Sequence, residues 1–232
     1  MQCTNVSAAN TEIIELGKEG RPLVTLNDFL ADPDQEVKFA ALQKFAAINP
    51  YYPGIRAPLA PDASKSLSDA LSSVMSEVFD QKHGAWGVQA WYSIVTSAPQ
   101  QLMPIQRLPH VDGTAGDQIA LMVYLHHTDH GGTGFYRHEA TGFESLSDAR
   151  YPTYKQHIER EVAEIGLPPA AYITDGAPLF SRIHAVEGVY NRAILYHGNS
   201  FHSGIISNDA PLPADALSGR LTVNAFMTPP QN

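Results

Sequence analysis

PHVDGTAGDQIALMVYLHHTDHGG, residues 109–132, places an apolar run at 119–126 between two copies of the pattern His-x-Asp. The run has strand length and is bounded on both sides by turn-forming Gly and Asp. In an extended chain residues i and i+2 point to one face. His110-Val111-Asp112 and His127-Thr128-Asp129 can therefore each offer an imidazole and a carboxylate to a single ion. A lone match of this kind is weak, and position separates the two pairs. His110 and Asp112 stand just before a short turn, 113–117, that leads into the apolar strand. His127 and Asp129 follow that strand beside Gly131-Gly132, where polar residues of a hairpin connection are expected. The first pair is the better metal candidate. Two His and one carboxylate with open positions mark non-haem iron(II) oxygenases, so the remaining histidine must come from a distant strand.

Outward from this stretch the pattern is one of strands. Trp86, Val88, Ala90, Tyr92 and Ile94 alternate onto one side, and further strands are expected at 133–138, 180–186, 192–197, 202–207 and 219–227. Ahead of them an early strand is expected at 23–26. Asp32-Pro33-Asp34-Gln35 has the form of a capped helix start, with an end near Asn49-Pro50. A second helix is expected after Ser66, with Leu67, Leu71, Val74, Met75 and Val78 on one face. A third, at 152–165, carries Tyr154, Ile158, Val162 and Ile165 as its apolar stripe and is expected to pack outside the strands rather than to act as a lid. The fold class is mainly β with flanking helices (α+β), a jelly roll or related barrel. One domain, 1–232, is expected, with 1–85 as N-terminal support and 86–232 as the β core.

Composition agrees with this plan. The chain has 232 residues, 44% of them hydrophobic, which is enough for one full core without disulfides. Its single cysteine, Cys3, has no internal partner, and residues 1–20 lack the apolar core of a secretory signal, so a cytoplasmic setting is expected. No apolar run approaches the roughly 20 residues that span a bilayer. A formal net charge of −9 argues against a nucleic-acid partner, which would call for clustered Lys and Arg. The expected substrate is a small molecule or a peptide.

The distant histidine is sought in Asn199-Ser200-Phe201-His202-Ser203-Gly204. His202 begins a strand after a turn, and Gly204 permits close approach. His138, His184 and His197 lie on expected strands and compete with it. His126 shares a face with Tyr124 and is a candidate substrate contact. Near the end of the chain Arg220, Thr222 and Asn224 share one strand face while Leu221, Val223 and Ala225 share the other. A polar face of this kind meets either solvent or a ligand-lined interior, and in the interior an arginine needs an anionic partner.

These residues resemble the iron(II)/2-oxoglutarate-dependent dioxygenase superfamily, in its prolyl-hydroxylase-like branch. The likeness rests on His110-Val111-Asp112, Tyr124-Leu125-His126, Gly131-Gly132-Thr133-Gly134-Phe135, His202 and Gly219-Arg220-Leu221-Thr222, in that order. It implies a double-stranded β-helix, cupin-like in form, that binds Fe(II) through His110, Asp112 and His202. It also implies 2-oxoglutarate as cosubstrate, anchored by Arg220 with hydroxyl contacts from Thr222 and Tyr124, and O2 as oxidant. The implied reaction is hydroxylation of an unactivated C–H bond. Retention of Asp112 favours hydroxylation over halogenation, since related halogenases replace the carboxylate with a small residue. Acid is expected to release the metal as His110 and His202 protonate. In related enzymes the basic residue follows the distal histidine by about ten positions, whereas Arg220 lies eighteen beyond His202. The segment 208–218 absorbs the excess as a loop, and Arg182 and Arg192 stay as alternative anchors. Two other classes stay open: a cupin-like metalloenzyme without 2-oxoglutarate, and a non-catalytic jelly-roll binding module.

Overall fold

In the computed structural model, which describes residues 1–4, 6–7, 9–80, 86–127, 130–177 and 179–229, the alternating segments pair into two antiparallel sheets. The larger contains β1 (Thr11–Leu16), β2 (Arg21–Leu26), β3 (Gly54–Pro58), β4 (Gly87–Val95), β5 (Ile119–Tyr124), β9 (Ala193–His197) and β11 (Arg220–Thr228), in the order β1-β2-β9-β5-β11-β4-β3. The smaller contains β6 (Thr133–His138), β7 (Gly176–Ala177), β8 (Phe180–Val186) and β10 (His202–Gly204), in the order β10-β6-β8-β7. The chain crosses repeatedly from one sheet to the other, giving the jelly roll expected from the strand pattern, in the double-stranded β-helix form that the resemblance implies.

Strand β11 shows how alternation assigns the faces. Leu221, Val223, Ala225 and Met227 point away from the smaller sheet, into a core completed by Phe29, Leu30 and the Leu67, Leu71, Val74 and Met75 stripe of α2 (Pro61–Glu77). Phe226, on the opposite face, joins Leu23, Ala120, Tyr124, Phe135, Ile194 and Tyr196 between the sheets. The smaller sheet repeats the logic: Phe135 points inward, while Tyr136 packs outward with Phe180 and Phe201. Against that outer face lies α3 (Tyr151–Ile165), through Tyr154 and Ile158. None of its residues is buried, as suits a helix on the exterior.

Several boundaries differ from the sequence expectation. Helix α1 (Pro33–Ala41) starts as expected, with the Asp32 carboxylate accepting the Gln35 N–H at 2.9 Å, but it ends far short of Asn49. The chain beyond it is claimed by another partner, because Ala46 and Arg56 exchange both backbone hydrogen bonds at 2.9 Å. Helix α2 begins at Pro61 instead of after Ser66, since proline suits the first helical position. Strand β5 stops at Tyr124 and β10 at Gly204, where Leu125 and Ile205 donate to Leu221 and Gly132 across the sheets' ends. The first 85 residues contribute β1 and β3 to the larger sheet in addition to the expected strand at 23–26. Both were hidden, β1 by its charged residues and β3 by its shortness between Pro53 and Pro58.

Two ties fix the ends of the roll. The turn between β1 and β2 is strapped to the segment after β6 by Glu144, whose buried carboxylate accepts the Lys18 and Glu19 N–H groups at 2.9 Å and pairs with Arg137. Burial works against that charge, but these donors win and hold the carboxyl below its usual range. The second tie is steric. Gly131 has φ +75°, and a Cβ there would lie 1.7 Å from the Ile205 carbonyl oxygen; one on Gly132 would lie 1.8 Å from that of Val186. Gly132→Ala should therefore lower stability by at least about 3 kcal/mol in urea unfolding. Gly142→Ala is the control. Gly142 has φ +70° with nothing within 4 Å, so only backbone strain of about 1–2 kcal/mol is expected there.

Candidate metal centre and anion pocket

The segment carrying His110 and Asp112 is extended and runs beside β10. His110 and His202 exchange both backbone hydrogen bonds at 2.9 Å, and the Asp112 N–H donates to the Gly198 carbonyl at 2.7 Å. This pairing turns both imidazoles and the carboxylate to one side. One ligand atom from each of His110, Asp112 and His202 lies within 4.8 Å of the others. The two rings stand 4.4 Å apart between centroids, and His202 Nε2 lies 3.6 Å from Asp112 Oδ2. His202 Nδ1 is 2.9 Å from the Ser200 carbonyl, which fixes that nitrogen as the N–H and leaves Nε2 with a free lone pair.

The electrostatics suit a cation. Burial, and then the neighbouring His202, push the His110 ring down to about 4. Burial takes His202 to about 4 as well, against the opposing effect of its bond to Ser200. His110 keeps contact with solvent while His202 is buried, so the crowding around the pair and not the exposure of each ring sets these values. Burial lifts Asp112 to about 6, against the pull of His110 and Arg56. At neutral pH the imidazoles are uncharged and the carboxylate ionised, which is the protonation state that metal ligation requires. Asp112 Oδ2 is buried without a hydrogen-bond partner, an unmet demand that a cation would satisfy. Acid reaches the carboxylate before either ring, whereas the sequence expectation named only protonation of His110 and His202 as the cause of metal release.

Arg220 opens β11 on its inner face and is 3% exposed. Its Nε and Nη2 donate to the carbonyls of His130 and Gly132, each at 3.0 Å, and no carboxylate of the described residues pairs with it. Around it stand phenols and hydroxyls. Tyr124 and Thr133 share a hydrogen bond at 2.7 Å, and Thr222 donates to Asn224 Oδ1 at 2.8 Å. Tyr52 and Ser93 hold buried oxygens without partners. Among the described residues, Arg220 with this surround can receive an anion, while the alternative anchors are engaged elsewhere. Arg182 binds the Thr174 carbonyl and Asp175, and Arg192 binds Asn27 and the Glu187 carbonyl.

The competing histidines have structural surroundings. His138 bridges Thr141 and Glu161 beneath α3, at 2.9 Å on each side of its ring. His197 is bound to the Gly116 carbonyl and meets the edge of Phe79 on the helix side. His184 stands half-buried on β8, outside the triad. His126 is buried edge-on between Tyr124 and His130. His127 is exposed and stacks on Tyr190, while Thr128 and Asp129 of the second His-x-Asp pair lie outside the described residues.

Sequence reasoning missed the contribution of β3 and the segment before it. Arg56, Tyr52, Ser93 and Trp91 face the same interior, and Tyr196 lies edge-on to His202 at 4.8 Å. The available signal was Ile55-Arg56-Ala57, a cation alternating with two apolar residues.

Solved structures of similar shape agree with the fold. HygX from Streptomyces hygroscopicus with iron bound aligns over 89% of this chain and 82% of its own, at 13% identity and a TM-score of 0.51. HygX with nickel and 2-oxoglutarate bound aligns with the same coverage at 12% identity and a TM-score of 0.53. HygX with nickel, 2-oxoglutarate and hygromycin B bound gives 12% and 0.51, again with that coverage. At such identity the likeness is one of fold alone. No curated protein matches the chain in sequence. A family model described as "Family of unknown function (DUF6445)" matches residues 7–227, nearly the whole length, and the protein is accordingly a member of the DUF6445 family.

Proposed function

We propose that the protein is an iron(II)- and 2-oxoglutarate-dependent dioxygenase that hydroxylates an unactivated C–H bond of a small molecule, an amino acid or a peptidyl residue. The observation that carries this reading is the convergence of His110, Asp112 and His202 within 4.8 Å, in an interior that also holds the carboxylate-free Arg220. Two neutral imidazoles and one carboxylate suit iron(II). HygX supports the reading, since it holds iron in one structure and nickel with 2-oxoglutarate in another. Its structure with hygromycin B supports a small-molecule substrate. No described helix is long and apolar enough to cross a membrane. Burial raises the lone Cys3 thiol to about 11, which keeps it protonated at neutral pH.

When bound, iron supplies the activation of O2 that accompanies oxidative decarboxylation of 2-oxoglutarate to succinate. The chain supplies the geometry. His110, Asp112 and His202 hold the metal, and the Ser200 carbonyl keeps His202 in the tautomer that presents Nε2. Arg220 receives the distal carboxylate as a charge-assisted fork, with Tyr124 and Thr222 beside it. Tyr196 and Phe135, both buried between the sheets, exclude water from this wall.

Anaerobic addition of iron(II) and then 2-oxoglutarate should produce the visible charge-transfer band of the chelate, and the double variant His110→Ala, His202→Ala should lose both the band and stoichiometric iron. Oxygen consumption without succinate would instead indicate the cupin-like alternative. Arg220→Ala should weaken 2-oxoglutarate by about 2–5 kcal/mol in anaerobic titration, with iron still bound; an unchanged affinity would move the anchor elsewhere. Metal affinity should be greatest above pH 6, where Asp112 is ionised. From about 6 down to about 4 it should fall by roughly tenfold per unit as one proton competes for that carboxylate, and more steeply below about 4 as both rings protonate. A chelator competition across this range reads the slope, and a flat profile above pH 4 would contradict the assignment.

A further inference from the structure

A second cation lies in the same interior. Arg56 is the central residue of β3, and its neighbours Ile55 and Ala57 pack into the helix-side core. Alternation therefore turns Arg56 inward. The pairing register confirms it: Arg56 stands opposite Ser93, Ser93 opposite Thr222, and Thr222 opposite Tyr124, a polar row across four strands that ends beside Arg220. The charge of Arg56 also weighs on both Asp112 and His110.

What distinguishes Arg56 is the want of a partner. The other arginines of the chain, from Arg21 to Arg220, each make at least one side-chain hydrogen bond. Among the described residues Arg56 makes none, and its Nε is buried and unsatisfied. It takes part in none of the ion pairs among the described residues. Its guanidinium carbon instead lies 4.0 Å from the ring centre of Tyr52 and 5.5 Å from that of Trp91. Aromatic faces orient a guanidinium and leave its in-plane N–H groups directed outward. The side chain is half-buried, so it has given up part of its hydration without gaining a hydrogen bond in return. The Asp112 charge reaches Arg56 but makes no ion pair with it among the described residues, so its N–H groups can take an anion, and in the dioxygenase reading 2-oxoglutarate already has Arg220.

We propose that Arg56 anchors an oxyanion of the primary substrate, a carboxylate or a phosphate, with Trp91 and Tyr52 covering the carbon skeleton next to it. This rests on the dioxygenase reading and deepens it. The substrate then carries a negative group at one end, and the C–H bond presented to the metal lies at a distance from that group set by β3. The charges of Arg220 and Arg56 both reach the buried Tyr52 hydroxyl.

The test uses the full chain loaded with nickel(II) and 2-oxoglutarate, which cannot turn over. Phenylacetate, phenyl phosphate and the uncharged methyl phenylacetate are titrated by calorimetry. Binding of at least one anion about tenfold or more tighter than the ester is expected, and the tighter anion identifies the group as carboxylate or phosphate. Arg56→Gln should abolish that preference, Arg56→Lys should keep part of it, and both should bind 2-oxoglutarate within about threefold of the parent chain. If Arg56→Gln does not fold, the Lys variant still tests the anchor through its reduced preference for the anion. Equal binding of anion and ester by the parent chain, or an undiminished preference in the variants, overturns the proposal. Loss of 2-oxoglutarate affinity in Arg56→Gln, comparable to that in Arg220→Ala, would assign Arg56 to the cosubstrate and also overturn it. Failure of the parent chain to bind nickel and 2-oxoglutarate is a separate result, which removes the dioxygenase reading itself.

Discussion

The candidate centre depends on one backbone pairing, the reciprocal hydrogen bonds between His110 and His202. Residues 92 positions apart in the chain are brought to adjacent positions by it, and a regular pleat then aligns their side chains. Because i and i+2 share a face, Asp112 follows His110 without further adjustment, and its own N–H is held by Gly198. A slip of one residue would turn every one of these groups away from the others. The register of β10 against β6, where His202 faces Phe135, is therefore as much a part of the centre as the ligands themselves.

Around that pairing the protein keeps an unusual amount of polarity inside. Arg220, Thr222, Ser93 and Tyr124 are all buried, in the layer that a simple sandwich would fill with aliphatic side chains. The loss is offset elsewhere. One apolar cluster binds the helices to the larger sheet, another binds α3 to the smaller, and the Glu144 strap secures the β1–β2 turn. Apolar packing is thus heaviest on the outer faces, while the gap between the sheets holds a smaller apolar cluster beside these polar groups.

The sequence made much of this legible, and for identifiable reasons. Strand β6 turns Phe135 to the inner layer and Tyr136 to the outer, so its limits could be read residue by residue. His110, Asp112, His202 and Arg220 were accessible because each sits at a strand start or beside a turn with a distinctive neighbour. The end of α1 was not legible, since it is set by the bridge from Ala46 to Arg56 and not by a local stop signal. The inward placement of Tyr52, Ser93 and Arg56 was invisible for a similar reason: it depends on which strand lies next to which, and β3 joins the sheet at the far side of β4. The order of protonation was also hidden, because burial acts oppositely on carboxylates and imidazoles and only the folded chain fixes its extent.

β3 lies at the margin of its sheet, with β4 as its one strand neighbour, whereas β11 is paired on both sides. A change in β11 must be accommodated by β4 and β5 together, but the five residues of β3 answer to fewer constraints. Arg56 is bridged on its other side only by Ala46, so a change of its side chain leaves β11 with both its neighbours. Variation on this scaffold is therefore easiest at its border, where one inward-facing residue can change while the doubly paired middle keeps its register.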